Sequence, residues 1–171
     1  MESKAKFLGH PIHPMLITFP LGLFGMAVVF DLIDLAGDGW SSISRAAYYM
    51  IAAGVVMGLL AAIFGAIDWY AIPSGTRAKR IATMHGLGNV VIVALFAAAW
   101  LLRYDDPPEN ASGLPIVLQV IGLLGALVTA WLGGELVDQL GVGVDPDANL
   151  NAPSSLSKRP GGQSRPNVPG I

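Results

Sequence analysis

The stretch IAAGVVMGLLAAIFGAI, Ile51 to Ile67, decides the fold. A helix on the surface of a soluble bundle shows a polar face every 3.6 residues. This stretch has none, and neither does VVIVALFAAAWLL, Val90 to Leu102. A helix that is apolar all round lies in lipid or deep inside a protein. A crossing helix needs about 20 mainly apolar residues. Working outward, four segments qualify: Met15 to Ala36, Ala46 to Tyr70, Ile81 to Leu102 and Leu114 to Val137. The expected fold class is all-α, a polytopic four-helix transmembrane bundle. Pro20 inside the first span removes a backbone donor and predicts a kink.

Composition agrees. The 171 residues are 53% hydrophobic and 13% charged, against about 25% charged in soluble domains. A net charge of −2 gives no basic field for nucleic acid. With no cysteine, disulfides, thiolate metal sites and a cysteine nucleophile are excluded. The first apolar run is too long for a signal-peptide core and is expected to stay as an anchor.

Loop charge sets the orientation. Lys4, Lys6, Arg77, Lys79, Arg80, Lys158, Arg159 and Arg165 fall on one side, Arg45 and Arg103 on the other. Both termini are therefore expected in the cytoplasm, with the chain in a bacterial inner membrane. Trp69, Tyr70 and Trp131 would mark the inner interface, and Trp40, Tyr48, Trp100 and Tyr104 the outer one. Gly54, Gly58, Ala62 and Ala66 repeat every four residues, as do Gly122, Ala126, Ala130 and Gly134. Such ribbons let helices approach closely, within one chain or in a homo-oligomer. Residues 1–144 form the membrane domain. From Asp145 to Ile171 the chain is rich in Pro, Gly, Ser and Asn and is expected to be a disordered cytoplasmic tail.

On this topology the ionisable residues gather. His10, His13, His85, Asp68, Glu135 and Asp138 all fall at the cytoplasmic ends of helices. Asn89 shares a helix face with His85, and Gly86 and Gly88 remove bulk beside it. Near-membrane ionisable groups point to a site with a partner. Asp138, and Asp31 and Asp34 at the far end of the first helix, are expected to sit in the headgroup layer. A faint echo between the two halves suggests two repeats about an axis along the membrane normal.

At these residues GHPIHPMLITFPLGL (9–23), GAIDW (65–69), HGLGN (85–89) and GGELVDQLGVGV (133–144) resemble the bacterial membrane family called domain of unknown function 2231. The resemblance covers about residues 8–144 and rests chiefly on the double His-Pro opening. It implies four membrane helices, no established activity, and signature positions at His10, His13, Asp68, His85 and Asn89. Some members resemble fusions to Rieske-type iron–sulfur domains, which implies electron transfer.

Three functions remain open. One is a b-type haem held by His13 and His85, with Asp68 or Asn89 orienting an imidazole and Gly86 and Gly88 admitting the macrocycle. Its partner would be a quinone or a redox protein, and Arg77, Lys79 and Arg80 would meet the propionates. The second is a divalent transition metal on His10, His13, His85, Asp68 and Glu135. The third is a non-catalytic, proton-linked hydrogen-bond network in a scaffold or transporter subunit. No catalytic residue is assigned, since no G-x-S-x-G, phosphate-loop or H-E-x-x-H motif occurs.

The orientation is checked with a reporter active only outside the cytoplasm. Fused near Asn110 it is expected to be active, and fused at Ile171 silent; the reverse pattern inverts the topology.

Overall fold

A computed structural model of the chain describes residues 1–37, 41–104 and 113–157. Its four long helices are α1 (Ile12–Ala36), α2 (Ser41–Ala71), α3 (Arg77–Leu101) and α4 (Leu114–Gly134). All four are long and apolar enough to cross a membrane. At 1.5 Å per residue the 25 residues of α1 reach about 37 Å, more than the roughly 30 Å hydrocarbon layer.

Three helix starts lie earlier than hydropathy alone places them, while α4 begins at Leu114 as expected. Pro11 caps α1 with φ −60°, and Pro14 falls in the first turn, where a missing N–H leaves no bond unmade. His13 therefore lies inside the helix. Thr76 caps α3 by accepting from Lys79 N–H at 3.1 Å, which sets His85 in the third turn. Beyond Gly134 the last helix widens into a π-helical turn, Glu135–Gln139. Ahead of α1 a two-stranded hairpin pairs β1 (Lys6–Phe7) with β2 (His10–Pro11). Its two-residue turn has positive φ at Leu8 (50°) and Gly9 (86°), the primed geometry that matches strand twist.

α1 packs on α2 and α3 on α4 as two hairpins, and the hairpins meet more sparsely. The outer faces are apolar: Val56, Leu59, Ile63, Val90, Leu124 and Leu127 are all exposed. The interior holds Phe24, Ala27, Val28, Ala47, Ile51, Ile92, Phe96 and Ala126. At its centre the Phe24 and Phe96 rings stack at 3.9 Å. Each ring reaches that position across a glycine of its own hairpin. A Cβ on Gly54 would lie 2.5 Å from Phe24, and one on Gly122 2.8 Å from Phe96.

The packing ribbons differ from the four-residue spacing. They run Gly54, Gly58, Ala61, Gly65 on α2 and Gly122, Ala126, Thr129, Gly133 on α4, while Ala62, Ala66, Ala130 and Gly134 are not on the packed face. Four residues overshoot one helical turn by about 40°, so a strict spacing of four winds off the contact within two steps. A three-residue step in the middle corrects the drift.

The far end also departs from expectation. Asp31 and Asp34 are 1% and 5% exposed and do not sit in a headgroup layer. Arg103 is no loop cation: it is buried, and its Nη1 donates to Asp31 Oδ2 at 2.7 Å while Nη2 reaches Ser44. Gln119 Nε2 donates to the same Asp31 oxygen at 2.8 Å. Tyr48 is buried against Trp100, so it is not an interface marker. Trp40 lies outside the described residues.

Residues 145–157 form exposed turns without helix or strand, anchored where Ser155 Oγ meets His10 Nε2 at 3.2 Å. The rest of the expected tail, with Lys158, Arg159 and Arg165, lies outside the described residues.

Gly54→Leu should force Phe24 from its place and cost about 1–3 kcal/mol of stability in detergent. Phe24→Ala in the same chain should restore part of that loss, a coupling read from the double-mutant cycle. Additive losses would mean that the two do not meet.

Candidate functional site

His13 and His85 stand at equivalent places in the two hairpins. Phe24 follows His13 by the same eleven residues as Phe96 follows His85. Gly54 and Gly65 are spaced as Gly122 and Gly133 are. The equivalence extends to contacts. His13 Nδ1 lies 2.9 Å from the Ala61 carbonyl, and His85 Nδ1 2.8 Å from the Thr129 carbonyl. Each carbonyl lies four residues before a glycine against which the imidazole packs. A Cβ on Gly65 would be 2.9 Å from His13, and one on Gly133 3.2 Å from His85. In a helix the side chain at i+4 borders the carbonyl of residue i. Glycine there uncovers the oxygen, whose second lone pair can accept the imidazole N–H.

The rings come together between the hairpins, centroids 6.3 Å apart and planes at 85°. A carbonyl oxygen only accepts, so both Nδ1 atoms carry a proton; in a neutral imidazole of that tautomer Nε2 presents the lone pair. Beyond that the halves differ. Asn89 Nδ2 lies 3.1 Å from His85 Nε2 and also donates to the His85 carbonyl at 2.9 Å. Thr129 Oγ1 donates to Asn89 Oδ1 at 3.0 Å, which fixes the amide. In the first hairpin Ile17 and Ala61 occupy the corresponding positions. Among the described residues His13 Nε2 therefore has no hydrogen-bond partner. Both histidines are half-buried, so neither is sealed in the core.

The other candidate residues go elsewhere. Asp68 accepts from Ser3 Oγ at 2.8 Å and from Lys4 N–H at 2.8 Å, so it holds the N-terminal arm and orients no imidazole. Glu135 pairs with Arg77. His10 projects from the β-hairpin and is exposed. Among the described residues no three His, Asp or Glu side chains gather closely enough to hold a metal. Gly88 leaves no slot, because a Cβ there would meet Thr129 at 2.6 Å; Gly86 does face open space. Lys79 lies over the Trp69 ring and donates to the Trp69 carbonyl. Of the three cations at the start of α3, Arg80 alone makes no such contact among the described residues. Sequence reading missed Ala61, Gly65, Thr129 and Gly133. The matched spacing of Gly54–Gly65 and Gly122–Gly133, set beside that of the histidines and phenylalanines, is the signal that exposes them.

Residues 9–146 match the profile of a family described as predicted membrane protein, DUF2231. The chain belongs to this family. No curated protein and no solved structure matches it. The DUF2231 match spans all four helices and both histidine pockets, so the paired hairpins fall within the family's extent.

Asp68→Asn should weaken the hold on the N-terminal arm by about 1–2 kcal/mol. Trypsin should then cut after Lys4 or Lys6 faster, while the imidazole NMR signals of His13 and His85 stay in place. A shift of those signals would return Asp68 to the histidine site.

Proposed function

We propose that this DUF2231 protein is a membrane electron carrier whose His13 and His85 are the axial pair of a b-type haem. The observation that carries the reading is the neighbouring imidazole pair, each ring fixed through Nδ1 on a main-chain carbonyl. That hydrogen bond is the usual orienting contact of a ligating histidine, and it leaves Nε2 as the ligand atom. Two metal–nitrogen bonds of about 2.0–2.1 Å each, with the ring atoms beyond them, span about the 6.3 Å between the ring centroids. That separation matches two imidazoles on one iron in distance. Bound, the group would supply a one-electron couple.

The protein's own part is positional. Gly65 and Gly133 let the rings reach the carbonyls, and the carbonyls hold the tautomer. Ligation through His85 Nε2 would require the Asn89 amide, 3.1 Å away, to leave that atom; its bond to the His85 carbonyl could remain. Arg80 is the cation left to meet a propionate. We further infer that the histidine layer faces the cytoplasm of a bacterial inner membrane, with a quinone or redox protein as partner. The burial of Arg103 strengthens this orientation, since only Arg45 then remains as an exposed cation on the opposite side.

A second reading is favoured by the satisfied state of His85. Its two nitrogens already have partners in Thr129 and Asn89, as a neutral structural network requires. The five-residue metal site has no comparable support, because Asp68, Glu135 and His10 are engaged elsewhere.

The test is the absorption spectrum of detergent-purified protein from cells supplied with haem precursor and iron. A Soret band with paired α and β bands is expected. It should be lost in His13→Ala and in His85→Ala, while both variants still insert, and be kept in His10→Ala. Protein that carries no haem overturns the electron-carrier reading. In that case Asn89→Leu should lower the unfolding temperature, as the network reading requires.

A further inference from the structure

The chain ahead of α1 folds back along the bundle. Ala5 is buried, its carbonyl accepts from Ile12 N–H at 2.9 Å, and the hairpin Lys6–Pro11 turns at Leu8 and Gly9. A two-residue turn of this kind favours asparagine or aspartate before the glycine, since both positions need positive φ. Leucine is a poor choice there: it bears the left-handed backbone and gains no local hydrogen bond in return. It also stands in the open. Leu8 is 60% exposed and Phe7 beside it 58%. Two large apolar side chains at the tip of a turn, one of them on strained backbone, point to contact with something apolar.

Depth says what that is. Phe7 lines an apolar groove of about 410 Å³ with Ile12, Met15, Leu16, Leu60 and Phe64. Phe64 and Leu60 lie seven and eleven residues inside the end of α2 at Ala71, about 10 and 16 Å at 1.5 Å per residue. Phe7 precedes the first helix in sequence, yet its ring is level with the apolar spans. Met15 and Leu60 are themselves exposed, so the groove continues the apolar outer surface that α1 and α2 present to the bilayer. Lys4 and Lys6 flank the tip in sequence, cations suited to the lipid phosphates above the acyl layer. His10, opposite Phe7 in the ladder, is taken up by Ser155 of the tail. The rest of the tail, residues 158–171, has Val168 and Ile171 as its only branched aliphatic side chains and is a poor match for Phe7 and Leu8.

We propose that the hairpin Lys6–Pro11 is a membrane anchor whose Phe7 and Leu8 insert among the acyl chains of the leaflet at the histidine end. Its partner is the lipid surface itself. The backbone stays at the headgroup boundary, where water still reaches the amides of the turn, and only the two side chains pass below it. Anchored there, the hairpin fixes the start of α1, two residues ahead of His13. The anchor is independent of what the histidines bind.

The chain has no cysteine, so Leu8→Cys provides a single site for a nitroxide label on the full-length protein. Nanodiscs of phosphatidylcholine and phosphatidylglycerol leave both membrane faces open. Relaxation of the label is compared for oxygen, which collects in the acyl layer, and for a nickel chelate, which stays in water. The oxygen-to-nickel accessibility ratio should be several-fold higher than for a label at Leu156→Cys in the exposed tail. Adding Phe7→Glu should bring the ratio down toward that of the tail, because a carboxylate is expelled from the acyl layer, with helix content by circular dichroism unchanged. A ratio at Leu8 equal to that at Leu156 would place the tip in water. A label shielded from both reagents would place it against protein, a second copy included. Either result, or a ratio that Phe7→Glu leaves unchanged, overturns the proposal.

Discussion

Helices in hydrocarbon gain nothing by hiding apolar surface from water, because the lipid is as apolar as they are. Their association rests on close approach of backbones and on the dispersion and polar contacts that approach permits. In this protein the approach is licensed by glycines placed at matching depths of α2 and α4. Gly54 and Gly122 admit the Phe24 and Phe96 rings, which then stack on each other where the hairpins meet. Gly65 and Gly133 admit imidazoles in place of phenyl rings. There the absent side chain does more than make room: it uncovers a helix carbonyl and gives the imidazole N–H a partner. One device, repeated, builds both the apolar centre and the polar layer.

The two hairpins are alike in frame and unlike in chemistry. Where one has Ala61 and Ile17, the other has Thr129 and Asn89, and only there is an imidazole closed into a network. Asp31 and Arg103 occupy equivalent places after their histidines, eighteen residues on in each case, and pair across the junction. A symmetric frame brings equivalent residues face to face. Opposite charges at one such position convert a contact between like elements into an ion pair, and replacing Ile51 by its counterpart Gln119 adds a further bond to it.

The histidine end is closed by the N-terminal arm and the segment after α4. The first residues run beside the segment after α4, with Glu2 bridged to Gly143 and the amino group of Met1 donating to Gly141. Asp68 fastens the same arm from below. This strap joins α1 and α4, which the chain does not connect directly. It also explains why a carboxylate at that depth is tolerated: backbone and hydroxyl donors from the arm take up its charge in place of water.

Hydropathy is a property of each segment alone, so the four spans, the membrane and the fold were fixed before any packing. His13, His85 and Asn89 were legible for a related reason: ionisable or amide side chains inside apolar runs need partners, and their depth follows from helix length. Depth was the limit of that argument. Asp68, Glu135 and His10 share the layer yet serve the arm, Arg77 and the tail, because the side on which a residue projects depends on how each element is turned about its axis. That turn was set by packing, through the three-residue step that brings Gly65 and Gly133 back to the contact. Asp31 and Arg103 each looked like an isolated charge at a helix end. Only the tertiary structure paired them, since the interaction that makes burial of one acceptable is the other, seventy-two residues away in sequence.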